Sequence, residues 1–252
     1  QRFRKLGYDG DALFALSQRL TGLLWSGRLN AAAAQVAVTK PWLAQLDDAL
    51  AGRALNVMQA QAAILIEQNR LTEAASLIDH AWRMVKRSLE WVPVVYLCWS
   101  RARYAYACGD PRSALAILEE AQAMYAEHAG EWFTSFIARY VSMAHLWCGD
   151  AHAAAAAIQI SGNRLSMPVM ASPFLQLAMA RILIARGRAD PCGPYLAQAR
   201  ELIDRCLREI YPGLNYWIVA ARIVSALLHH VQGDLSQALH DLTPALVFGE
   251  AH

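Results

Sequence analysis

Small and aliphatic residues recur along this chain behind short polar breaks, at a spacing of about forty residues. The breaks are Gly27-Arg28, Asn69-Arg70, Gly109-Asp110, Gly149-Asp150, Gly187-Arg188 and Gly233-Asp234, separated by 42, 40, 40, 38 and 46 residues. Five residues after the first member of each pair stands Ala32, Ala74, Ala114, Ala154 or Ala238. Nine residues after it stands Val36, Ile78, Leu118, Ile158, Leu196 or Leu242. The fifth break departs from the alanine rule: Cys192 falls there, inside Asp190-Pro191-Cys192-Gly193-Pro194, and the interval that follows is the longest. A local insertion is expected at that point.

Glycine or asparagine adopts the left-handed conformation that ends a helix. An alanine five residues on lets a returning helix approach closely, and the aliphatic four residues later fills the seam on the same face. Each unit therefore reads as an antiparallel helix pair. The spacing predicts first helices near 11–26, 53–68, 92–108, 131–148, 172–186 and 213–232, and second helices near 29–39, 71–88, 111–128, 150–160, 192–209 and 235–248. Pro41 is expected to end the second helix of the first unit, and the stretch Ser161–Met170 to be a loop. No strand pattern appears. The predicted fold is all-α: about six tetratricopeptide-like helix pairs stacked into a right-handed superhelical solenoid, a single helical-repeat domain over residues 1–252 with apolar ends prone to self-association.

Composition narrows the function by exclusion. Hydrophobic residues make up 56% of the 252 and charged ones 17%, so a core is available and disorder is excluded. A formal charge of +2 gives no case for direct nucleic-acid binding. The mean hydropathy of +0.19 raises the question of a membrane span. The most apolar segment, 213–233, carries Arg222 near its centre, which favours an interior helix. The five cysteines show no metal-ligand spacing and read as reduced, mostly buried thiols of a cytosolic protein. His229 and His230 are adjacent and point about 100° apart on a helix, so one belongs to a seam and one to the surface, and no metal is expected. No nucleophile elbow, zinc motif or other catalytic constellation is visible, and no cofactor is implied.

Two phrases carry a family resemblance. Gly109–Leu115 and Gly233–Leu239 share the pattern Gly-Asp-x-x-x-Ala-Leu of tetratricopeptide-like repeats. The run Leu177-Ala178-Met179-Ala180-Arg181-Ile182-Leu183-Ile184-Ala185-Arg186-Gly187-Arg188 resembles a phrase of MalT-like regulators, the large ATP-dependent LuxR-type transcription factors, and Gln232–Leu239 resembles their last repeat. The resemblance implies a fragment of a longer regulator, with the NTPase and helix-turn-helix domains lying elsewhere. It further implies a cytoplasmic, non-catalytic module that senses a small-molecule inducer or a regulatory protein and communicates with other domains of the same regulator. The rival reading is a plain scaffold that docks a partner protein or peptide with no small ligand.

In such stacks the first helices line a groove. Counting back from the breaks puts Tyr96, Trp99 and Arg103 on one stripe, with Gln59 in the preceding unit and Phe136, Arg139 and Tyr140 in the following one. Aromatic faces and a few fixed polar groups suit a ring-containing or sugar-like ligand, stacked on Trp99 or Tyr140 and held by Arg103 and Arg139. These seven residues are the expected ligand site.

Overall fold

Glycine and aspartate have separate roles at each turn. Gly27, Gly109, Gly149 and Gly233 have φ between 75 and 85°, and Asn69 has 55°, so each ends its helix in the left-handed region. The carbonyls orphaned by the helix end are then satisfied: Asp110 N–H donates to Ala105 and Gly109 N–H to Tyr106, each at 2.9 Å, and the other four turns repeat the pattern. The following aspartate caps the next helix. Oδ1 of Asp110, Asp150 and Asp234 accepts from the N–H of Ser113, Ala153 and Gln237 at 3.0, 2.8 and 3.0 Å. Nothing lies within 4 Å of a Cβ built on Gly109. Gly109→Ala therefore costs backbone strain alone, about 1–2 kcal/mol, whereas Asn69→Gly relieves strain and should leave stability equal or slightly higher. Urea denaturation of the two variants checks both signs.

The computed structural model describes residues 8–43, 50–85, 91–126, 130–164 and 173–251. Every element among them is a helix: α1 Asp9–Trp25, α2 Leu29–Leu43, α3 Ala51–Glu67, α4 Leu71–Val85, α5 Trp91–Ala107, α6 Pro111–Ala126, α7 Gly130–Trp147, α8 Ala151–Arg164, α9 Pro173–Ala189, α10 Tyr195–Glu209, α11 Asn215–Val231 and α12 Leu235–Ala251. The protein is all-α and built of helix pairs. The chain divides into two compact units, Gln1–Ala121 and Gln122–His252.

In the first unit α1 packs on α3 and α3 on α5, while α2 and α4 return along their own partners. Leu13, Leu16 and Leu20 of α1 meet Ala32 of α2 and Val57, Ala60 and Ile64 of α3. Leu55 and Met58 of α3 meet Ala81 of α4 and Leu97 of α5. In the second unit α7, α9 and α11 stack in the same way, backed by α8, α10 and α12. The alanines five residues past the breaks are all buried, which is what allows the close approach within each pair. At Ala154 the approach is close enough for Ser142 Oγ of α7 to donate to the Ala154 carbonyl of α8 at 2.8 Å.

Three local expectations need correction. Gly187 is not a break: it is buried inside α9, which runs on to Ala189. A Cβ there would stand 2.4 Å from Leu196 Cδ2, so glycine serves close packing rather than a left-handed turn. Leu196 packs half-buried in this seam, against Gly187 of α9 and the core of the pair. Ala199, Ile203 and Cys206 of α10 are buried with α9 and α11 and repeat the spacing of Ala74, Ile78 and Ala81. Ala199 lies twelve residues after Gly187 instead of five, because α9 runs on to Ala189 and the turn after it, 190–194, has five residues against three at the Gly109 turn; the insertion inferred from the long interval lies here. Pro41 lies within the last turn of α2 and does not end it at 39. Helix α8 continues through Ser161, Gly162 and Asn163 to Arg164, so the loop does not start at 161, and its remainder lies outside the described residues.

Candidate functional site

The seven expected site residues fall in both units: Gln59, Tyr96, Trp99 and Arg103 in the first, Phe136, Arg139 and Tyr140 in the second. In the first unit, α3 and α5 are packed neighbours, and all four residues are partly exposed rather than enclosed in the seam. The buried side of α5 belongs instead to Val94, Val95, Leu97, Cys98 and Ala102. Period 3.6 places Tyr96, Trp99 and Arg103 on a face distinct from those residues.

Arg103 has a partner that sequence reading missed. Its Nη2 donates to Glu67 Oε1 in a short contact linking the end of α3 to α5, with the two side chains 18% and 26% exposed. The pair fixes the guanidinium at the edge of the Trp99 stripe. The available signal was positional: Glu67 stands two residues before the Asn69 break and Arg103 six before the next, which places opposite charges on adjacent first helices. On the outer side of the same pairing, the Arg101 guanidinium of α5 lies 4.2 Å from the Trp82 ring centroid of α4.

In the second unit the arrangement is more enclosed. Tyr140 of α7 is buried, 4% exposed. Its ring meets Phe174 of α9 edge-on at 5.5 Å and 68°, and Phe174 in turn meets Trp217 of α11 at 6.3 Å. Arg139 Nη2 donates to Tyr140 Oη at 2.8 Å, with its guanidinium carbon 4.7 Å from the same ring. Tyr140 is thus a core aromatic under an arginine lid and offers no open face for stacking. Phe174 and Trp217, which complete this row, were not anticipated. The Phe136 side chain lies outside the described residues.

The last helix pair holds a buried polar node. Asp241 of α12 accepts from Ser225 Oγ at 2.5 Å and Gln237 Nε2 at 3.2 Å, and its Oδ2 lies 3.0 Å from His229 Nδ1. Burial pushes the Asp241 carboxyl up, but the hydrogen bonds from Ser225 and Gln237 and the nearby His229 outweigh it and hold it below the usual carboxylate range. The residue types are those of a hydrolase triad, but the connectivity differs. Ser225 gives its proton to the carboxylate rather than to the imidazole, so His229 is not placed to activate it. His229 is the seam member of the histidine pair and His230 the exposed one.

Among the described residues, no group of three or more His, Cys, Asp or Glu side chains is placed to hold a metal ion, and no helix is long and apolar enough to cross a membrane. The cysteine reading changes: Cys108, Cys148 and Cys192 are exposed, and Cys98 and Cys206 alone are buried. Burial pushes the Cys98 thiol up to about 12 and that of Cys206 to about 11. No family model matches the chain, and no curated protein does.

Proposed function

We propose that this chain is the sensing and interaction module of a MalT-like LuxR-type transcriptional regulator, cytoplasmic and without catalytic chemistry of its own. Two features support the reading. Helix pairs recur with the Gly-Asp turn chemistry, and the phrases at Leu177–Arg188 and Gln232–Leu239 resemble that family. The observation that carries a ligand-binding role is the partly exposed group Gln59, Tyr96, Trp99 and Arg103 on the adjoining helices α3 and α5. Aromatic area beside a fixed Arg103–Glu67 pair presents donors and acceptors together. That combination suits a neutral, hydroxyl-bearing ring better than an anion, because Glu67 already compensates the guanidinium. Binding there would favour one arrangement of neighbouring helices over another and so reach other domains.

The enclosure of Tyr140 favours a second reading, a scaffold that docks a protein or peptide, since it removes one of the two stacking platforms. Thermal denaturation against a panel of metabolites separates the two. A sensor gains melting temperature as one ring-containing compound rises above its dissociation constant. A scaffold shows no such gain and retains a protein partner instead.

A further inference from the structure

The seam of the last helix pair is built differently from the seams of the pairs before it. Asp241 stands three residues after the buried Ala238 of α12. Counted in the same way from Ala74, Ala114, Ala154 and Ala199, that position holds Leu77, Ile117, Ala157 and Leu202. Leu77 and Leu202 pack against the cores of their pairs, and Ala157 is buried. Gln35 takes the position in the first pair, so the last pair alone puts a charge there. On α11, His229 stands four residues before its turn glycine, where α3 and α5 carry Leu65 and Ala105 before Asn69 and Gly109. A layer that is aliphatic in the middle pairs is therefore a carboxylate with its hydrogen-bonding partners here.

Such a layer holds firmly only while every member is in place. Asp241 accepts from Ser225 Oγ and Gln237 Nε2 and lies against His229 Nδ1, so removing it alone strands its partners. Separating the two helices has a different consequence, because water then solvates the carboxylate, the imidazole and the hydroxyl together. An aliphatic layer gains nothing of the kind on exposure. Ser225 and Gln237 are half-buried, so the node already borders solvent. Among the described residues of α12, the buried apolar side chains are Ala238 and Ala245, against Ala74, Ile78 and Ala81 on α4 and Ala199, Ile203 and Cys206 on α10.

We propose that the Asp241 node is a polar latch that lets α12 leave α11 and rejoin it while α9, α10 and α11 stay folded. Closed, its hydrogen bonds fix the pairing of the two helices. Open, its members are hydrated, so opening costs less free energy than parting an aliphatic seam. The second unit thereby has two states that binding can select. The latch stands whether or not a ligand binds α3 and α5.

Amide hydrogen exchange of the full chain at neutral pH tests the latch. In the parent, amides at 239–245 of α12 should exchange roughly a hundredfold faster than those at 199–206 of α10, through an opening that leaves α10 protected. Ser225→Ala combined with His229→Leu and Asp241→Leu gives the seam the side chains that Leu65 and Leu77 supply at those positions in α3 and α4. This triple variant should slow exchange in α12 by about tenfold or more, with α10 unchanged. Asp241→Ala alone should speed exchange in α12 by about tenfold or more. Equal protection of α12 and α10 in the parent would overturn the proposal, and so would unchanged or slower exchange in Asp241→Ala. A folded triple variant whose α12 exchanges as fast as the parent's would overturn it as well. Should circular dichroism show that the triple variant does not refold, Asp241→Val in place of Asp241→Leu relieves crowding and is read in the same way.

Discussion

Ala154→Leu should destabilise the second unit by about 2–4 kcal/mol, the largest effect expected of any single added side chain in the repeats. Ala154 is fully enclosed at the closest approach of α7 and α8, so three more carbons must force the helices apart. Overpacking of this kind costs about 1–3 kcal/mol. Parting the helices also breaks the Ser142 Oγ to Ala154 carbonyl bond, worth about 1 kcal/mol net. Two companion variants separate the contributions. Ser142→Ala loses the hydrogen bond alone, and Ala156→Leu, two residues on at an exposed position, should stay within about 0.5 kcal/mol of the parent. Urea denaturation followed by circular dichroism reads all three. Equal stability of Ala154→Leu and Ala156→Leu would mean that close approach of the two helices is not what requires alanine at this place in every pair.

Asp241→Ala should cost about 2–3 kcal/mol, because the carboxylate is the shared acceptor for three side chains and its loss strands buried donors. The pH dependence gives a sharper signature. The folded carboxyl titrates below its unfolded counterpart, so in acid the unfolded chain binds the extra proton. The stabilisation is fully present above the unfolded value, about 3.9, and is lost as pH falls from there through the folded one. Stability of the parent should therefore drop over that acid window. In Asp241→Asn this component of the drop should be absent, and the variant should already be weaker at neutral pH.

Much of this architecture was legible because one dipeptide encodes two events. Gly-Asp states both a left-handed helix end and a cap for the helix that follows, and the buried alanine five residues on confirms the turn. The same reasoning failed at Gly187, since glycine also serves where a neighbour lies too close for a Cβ, and nothing in the local sequence separates the two uses. Cys192 at the alanine position and the long interval signalled the insertion, and the displaced Ala199–Ile203–Cys206 triplet shows its effect on the register of α10. Pro41 and the Ser161–Asn163 stretch lie in the last turns of α2 and α8, where a breaker residue interrupts only the final hydrogen bonds and not the body of the helix. In the candidate site, helical spacing correctly separated the Tyr96, Trp99 and Arg103 stripe from the buried face of α5. It gave no warning that Phe174 and Arg139 enclose Tyr140, because one side of that enclosure comes from the neighbouring helix α9 and the other from how the Arg139 side chain folds over its own neighbour on α7. The Asp241 node escaped notice for the same reason: its members lie on both sides of the Gly233 turn.

The reading of α3 and α5 as a ligand surface is tested most directly by Trp99→Ala, measured for melting temperature with and without the compound that stabilises the parent. The ring is partly exposed, so its loss should lower stability by well under the roughly 3–5 kcal/mol of a buried tryptophan while abolishing the ligand-dependent gain. A variant that retains the full gain, or one that loses the stability of a core truncation, would contradict it.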